Sequence, residues 1–408
     1  MKIFFKVMSF SGGAPLSMLE YIKLLKQAGN EIFVSGKYSN CEGRFIEEGI
    51  IPFNLPPFDI HQPIRNLKVY WMLTNELKKI EPDFLVFWTG YESIFGKLVS
   101  RYFGLPALYV YVGGEMVSYM RQVMRDEHIL VFSEENRSEL IAQGYNSSRI
   151  DVVTNRLSIK PVETKDQCHL HLNQGETLKL LLPSRLDSSK IASIQLTIEI
   201  AERLYRTFGN LLQLDIAGDG ECYNQVKQMA SQANLRAGGE FVYVLGYVNN
   251  MKPLFLQAHI VFGKGRSVIE PLMMGRLGIV VGEDRKMSLC TNDTILNLAK
   301  FNFSGRSITN HLEYKELESI VEALIAGTYD FTKNTATSAQ VQLMYDIRYA
   351  GKHIETIIAK RIEEQKELKQ KKKLRLIIGV VEYIRVYSLA VVSKIIKILR
   401  IHAFKKKV

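Results

Sequence analysis

The chain has 408 residues, 47% of them hydrophobic, which allows two or three globular domains with sizeable cores. Its four cysteines, Cys41, Cys168, Cys222 and Cys290, form no CxxC pair, which excludes a disulfide framework and a cysteine-rich zinc site and fits a reducing compartment. The formal charge of +11 suggests nucleic acid until it is located: from Lys360 onward 15 Lys/Arg stand against four Glu, so the last segment carries all of it.

The opening Met1–Met8 is interrupted by Lys6 and reads as a buried first strand instead of a secretory leader. Sequons such as Asn146–Ser147–Ser148 are then accidental. Strands are expected at Ile3–Met8, Glu31–Ser35, Ile50–Leu55, Phe84–Phe87, Ala107–Tyr111, Ile129–Phe132 and Asp151–Val153. Helices are expected at Leu16–Ala28, near Arg44–Glu48, and at Ile64–Ile80, Ser93–Phe103 and Glu134–Gln143. Periodicity then lapses across a linker, 158–177. Within it Cys168–His169–Leu170–His171 has no second ligand cluster to complete a metal site. The alternation restarts with strands at Leu178–Leu182, Leu212–Ala217, Phe241–Leu245, Ile260–Phe262 and Leu277–Val281. Helices lie between them, at Ser193–Tyr205 and Tyr223–Ala233 among others, and two more, Leu312–Ala326 and Thr337–Glu364, close the fold. Apolar strands alternating with helices predict two doubly wound parallel sheets, residues 1–157 and 178–340, with ligands in a cleft between them and a closing helix over 341–364.

The tail, 365–408, is different. After the basic run Lys369–Arg375, Glu382, Arg385, Lys394, Lys397 and Arg400 fall on one half of a helix, opposite a Leu/Ile/Val/Tyr face. Its longest uncharged run is eight residues, far short of the roughly 20 that cross a bilayer. A basic amphipathic helix lying on an anionic membrane surface is the preferred reading, and a helix packed on protein is the alternative.

Several chemistries are missing: no GxxxxGK[ST], HExxH, GxSxG or HRD…DFG set occurs. Gly263–x–Gly265–x–x–Val268 lacks the third glycine of a dinucleotide fingerprint, so NAD is not expected. Strand ends instead carry Gly12–Gly13, then Ser184–Arg185–Leu186 with Lys190, Ala217–Gly218–Asp219–Gly220, and Leu245–Gly246–Tyr247–Val248. The last is Gly263–Lys264–Gly265, leading into Glu270–Pro271–Leu272–Met273–Met274–Gly275. Glycines allow close backbone approach, a helix start favours anions, and Arg185 with Lys190 forms a pair of cations suited to a diphosphate.

This order resembles glycosyltransferase family 4, retaining enzymes of the GT-B fold, over most of residues 1–345. Ser184–Arg185–Leu186 with Lys190 is similar to the family's GRL…KG segment, and Glu270–Gly275 to its EAMACG helix. Pro82–Asp83, Val131–Phe132–Ser133–Glu134 and Ile150–Asn155 also match. The resemblance implies two facing Rossmann-like domains with an interdomain cleft. It implies that Arg185 and Lys190 bind and stabilise the leaving diphosphate. Glu270 would hold the ribose, with Gly12, Gly13, Tyr247, Gly263, Lys264, Gly265 and Leu272 around the donor. No cofactor and no metal are expected, because cations and helix dipole do that electrostatic work.

Three positions depart from the family. Its first paired glutamate falls at Phe262, the glycine after its lysine is Ile191, and its first-domain histidine has no counterpart. Gly113, Gly114 and Glu115 occupy that last region, with Glu115 as a substitute or a solvated bystander. The expected activity is retaining transfer of a hexose from a nucleotide-diphospho-sugar to a lipid-linked or cell-surface polysaccharide precursor. The setting is cytoplasmic, peripheral on the inner face of the membrane, without nucleic acid. A silent sugar-nucleotide-binding scaffold and a sugar-nucleotide epimerase of the same fold are the alternatives.

Overall fold

A computed structural model describes residues 1–59, 62–88, 90–112, 124–154, 156–158, 172, 175–306 and 308–368. Gly113, Gly114 and Glu115, the Cys168–His171 cluster and the tail beyond Leu368 lie outside the described residues. The chain divides into two compact units, one of residues 1–156 together with 347 onward, the other Leu157–Asp346.

The first unit runs β1 (Lys2–Ser9), α1 (Gly13–Gln27), β2 (Glu31–Lys37), α2 (Glu42–Glu47), β3 (Phe53–Asn54) and α3 (Pro63–Ile80). It continues through β4 (Phe84–Trp88), α4 (Gly90–Phe103), β5 (Ala107–Tyr111), β6 (Ile129–Val131), α5 (Glu134–Ala142) and β7 (Ile150–Val152). The seven strands order as β3-β2-β1-β4-β5-β6-β7, all parallel. Central β4 and β5 are apolar and buried along their whole length, as a sheet covered on both faces demands. Val69, Leu73 and Leu77 of α3 cover one face together with Ile94, Phe95 and Leu98 of α4. Met18 and Ile22 of α1 pack on the other.

The second unit runs β8 (Leu178–Pro183), α6 (Ile191–Phe208), β9 (Leu212–Ala217), α7 (Tyr223–Ala237), β10 (Val242–Gly246), α8 (Lys252–Gln257) and β11 (Ile260–Gly263). Then come α9 (Arg266–Met273), β12 (Leu277–Val281), β13 (Met287–Leu289), α10 (Ile295–Lys300), α11 (Tyr314–Ile325) and α12 (Thr332–Tyr345). Strand order is β10-β9-β8-β11-β12-β13, parallel except for β13, which closes the edge antiparallel to β12 and was not expected from the sequence. Leu180, Leu214, Phe262 and Ile279 point to one face with Ile194 and Ile198 of α6. On the other side, Val280 packs with Val268, Leu272 and Met273 of α9 and with Val341 of α12.

The single helix expected over Thr337–Glu364 is broken. After α12, Asp346 is extended, and a 3-10 turn, Ile347–Tyr349, leads into α13 (Gly351–Leu368). The amide of Leu157 donates to the Tyr345 carbonyl at 3.0 Å, and Leu157 bridges Asp346, so a distant segment takes the backbone partners of the helix end. Apolar spacing carries on through the break, which hides it from periodicity. Ile354, Ile357 and Ile358 of α13 return to the first unit beside Met18 and Ile22.

Candidate functional site

The second sheet reverses its winding between β8 and β11. Loops diverge at such a switch point, leaving a crevice outside the strand ends where ligands bind. The two flanking loops carry Arg185 and Lys190 on one side and Gly263, Lys264 and Gly265 on the other.

The first loop is fixed by its neighbour. Ser184 N donates to Ala217 O and Leu186 N to Asp219 O, each at 3.0 Å, and Cys222 N donates to Leu186 O at 2.8 Å. Leu186 is buried in the core, so Arg185 between these anchors points outward, its guanidinium 3.2 Å from Asp187. The glycines of Ala217–Gly218–Asp219–Gly220 make this possible: a Cβ on Gly218 would lie 1.7 Å from the Ser184 carbonyl oxygen. The motif therefore seats the arginine loop.

Lys190 ends a 3-10 turn, Ser188–Lys190, at the start of α6, and its carbonyl accepts from Ser193 Oγ at 2.9 Å. It borders a depression shared with Ser184, Ser193, Lys264 and Ser267. Burial, and after it the Arg185 guanidinium, depress the Lys190 pKa; Lys264 adds to this, while Asp187 and Glu283 oppose it. A crowded cation of this kind gains most from an incoming polyanion, which relieves both the repulsion and the lost hydration.

The second loop starts α9. Gly265 has φ 54, a left-handed conformation suited to glycine, and its amide donates to Phe303 O at 2.8 Å. Lys264 N donates to Ser267 Oγ at 3.1 Å, while its ammonium pairs with Glu283. Glu283 also accepts from Ser193 N at 3.2 Å and Ser193 Oγ at 2.9 Å. One carboxylate thus caps α6 at a distance and steers Lys264 toward Lys190.

The remaining positions fall less uniformly. Glu270 lies on α9 one turn from Arg266 and forms an ion pair with it, while Arg266 Nη1 is buried without a hydrogen-bond partner. Tyr247 is exposed after β10, next to Gly246, whose carbonyl accepts from Gly218 N at 2.8 Å. The Leu272 side chain is buried in the core under α9, 2% exposed, where it packs with Val268 and Val280. Phe262 is likewise sealed in the sheet core, and the position that counting assigns to a family glutamate does not face the site. Gly12, with φ 73, caps α1 and Gly13 begins it, at the end of the first strand of the other unit.

Glu283, Ser193 and Arg266 were not singled out in the sequence. A signal for Glu283 was there: Gly282–Glu283 follows the apolar strand Leu277–Val281, in the same way that glycines follow the other strands. Among the described residues no group of three or more His, Cys, Asp or Glu is placed to hold a metal ion.

The chain matches no family model and no curated protein sequence. It does resemble solved structures along nearly its whole length. Anabaena Alr3699/HepE in complex with UDP superposes with a TM-score of 0.66 at 15% identity, covering 88% of this chain and 100% of that one. The lipopolysaccharide outer core galactosyltransferase WaaB gives 0.56 at 14%, covering 88% and 100%. A putative UDP-N-acetylglucosamine 2-epimerase from Listeria monocytogenes gives 0.59 at 14%, covering 89% and 97%. Two α/β units, each built on a parallel sheet, and the likeness to these structures give the chain the GT-B fold of glycosyltransferases.

Proposed function

We propose that this chain is a metal-independent retaining hexosyltransferase of the family 4 type. It passes a sugar from a nucleotide-diphospho-sugar to a lipid-linked or cell-surface polysaccharide precursor at the inner face of the cell membrane. The observation that carries the reading is the convergence of Arg185, Lys190 and Lys264 at the switch point of the second sheet, with Glu283 and Ser193 holding the two lysines and Asp187 beside the arginine. As the sugar C1–O bond breaks, these cations and the start of α9 take up the charge that develops on the diphosphate. The acceptor oxygen bonds to C1 on the same face, and its proton passes to the departing phosphate. Glu270 binds a ribose hydroxyl once it exchanges Arg266 for substrate. The basic amphipathic tail keeps the enzyme at the membrane. The likeness to a UDP complex and to a lipopolysaccharide galactosyltransferase supports the donor and acceptor classes.

The test is release of nucleoside diphosphate from a panel of nucleotide-sugars in the presence of membranes. Arg185→Ala is expected to lose ~10²–10³ in rate, as for removal of one such electrostatic donor, and a loss below about tenfold removes its assigned role. The likeness to an epimerase supports a second reading, which predicts acceptor-independent conversion of a nucleotide-sugar into its epimer, without net release of nucleoside diphosphate. A binding scaffold predicts donor binding without turnover on any acceptor.

A further inference from the structure

Helix α3 has two faces that both carry large apolar side chains. Val69, Leu73, Leu77 and Ile80 are buried against the first sheet. On the opposite face Ile64, Leu67 and Trp71, spaced i, i+3 and i+7, are 84%, 59% and 64% exposed. Arg65, Lys68, Lys78 and Lys79 are exposed around them, and Glu76 is the one carboxylate in the helix, paired with Lys79 at 2.8 Å. The first turn is held firmly: Asn66 is buried, donates from Nδ2 to Asp59 O at 2.7 Å and accepts from Asp59 N at 2.9 Å.

We propose that this face of α3 is a second membrane contact, which docks on an anionic phospholipid surface. Single exposed apolar residues are ordinary, but three on one rigid face with a cationic border are a patch. Tryptophan favours the headgroup level, and lysine and arginine reach from there to lipid phosphates. A protein partner suits the face less well, because lysine is depleted in protein interfaces relative to the rest of the surface and this face carries Lys68, Lys78 and Lys79. The proposal extends the membrane part of the functional reading and is independent of the donor site.

The sequence provides its own probe. The chain has two tryptophans, Trp71 and Trp88, and Trp88 is buried at 2% exposure, so a change in emission on docking reports Trp71. The full chain is mixed with vesicles of phosphatidylcholine containing phosphatidylglycerol, and with phosphatidylcholine alone. On the anionic vesicles Trp71 emission is expected to shift to the blue, to lose access to acrylamide and to be quenched by brominated acyl chains. Trp71→Phe removes that signal. Ile64→Ser with Leu67→Ser lowers vesicle partition by about tenfold or more, and leaves nucleotide binding at the donor site unchanged. Co-sedimentation with Trp71 still open to acrylamide overturns the proposal and leaves the tail as the anchor. Shielding of Trp71 that follows protein concentration without vesicles overturns it in favour of a second copy. No vesicle binding at all overturns both membrane contacts while leaving the donor chemistry standing.

Discussion

Gly218 tests whether the glycine motif seats the arginine loop. In Gly218→Ala the new Cβ would stand 1.7 Å from the Ser184 carbonyl oxygen, and such contacts are essentially never below 3.0 Å. Backbone faces backbone there, with no flexible side chain to swing aside, so the 183–186 and 217–220 segments must part by the difference, about 1.3 Å. Overpacking of this kind costs about 1–3 kcal/mol. In a unit of this size that lowers Tm by roughly 2–12 °C. The same displacement carries Arg185 away from the diphosphate position, and a 1 Å misplacement in a catalytic array costs on the order of 10²-fold. Differential scanning calorimetry gives the first quantity and steady-state nucleoside diphosphate release the second. If Tm falls but kcat/KM stays within about threefold of the parent, the loop does not position Arg185 and the reasoning fails.

Three further predictions rest on buried charge. Lys6 and Glu92 form a fully buried pair, Nζ to Oε2 3.3 Å, with the second carboxylate oxygen accepting from Phe58 N at 3.1 Å. Lys6→Ala strands that carboxylate and should destabilise the protein by about 3–5 kcal/mol in urea titration, whereas Lys6→Met with Glu92→Leu should recover most of it. Phe262→Glu, which restores the family glutamate by counting, is expected to cost about 4 kcal/mol or more with no gain in turnover, because the carboxylate enters the sheet core. Stability should also fall with pH through the histidine range. Burial first, then Arg361, holds His128 at about 4, and burial first, then Arg276, does the same to His259, whose Nδ1 accepts from Lys179 N at 3.0 Å. Unfolded histidine titrates near ~6.5, so between that pH and 4 the unfolded chain binds more protons and stability drops as pH drops. Urea midpoints flat between pH 7 and 4.5 refute this, and neutral substitutes at 128 and 259 should flatten the profile.

The alternation of apolar strands and amphipathic helices made both sheets legible, since strands such as Phe84–Trp88 have apolar side chains on both faces. The glycine-rich strand ends pointed to the loops at the second switch point because they bear the steric demands of that place. What stayed hidden depends on contacts between residues far apart in sequence. Glu283 matters through Ser193 and Lys264, and no local pattern links the three. The break at Asp346 is set by Leu157, and Phe262 is buried because it is a residue of β11, paired with Ile279 of β12 and packed in the sheet core.

The return of α13 also bears on how the protein is made. The second unit is continuous in sequence, while the first closes only with residues that follow it. Arg361 Nε donates to Ala107 O at 3.3 Å, His128 meets Glu364 at 3.1 Å, and Ile354, Ile357 and Ile358 fill the face beside α1. During synthesis the later half can therefore finish first, leaving the face of the earlier sheet beside α1 incompletely covered until α13 leaves the ribosome. A chain released early at residue 346 would carry a complete second unit beside an unfinished first one, a state for chaperones to shield and proteases to find.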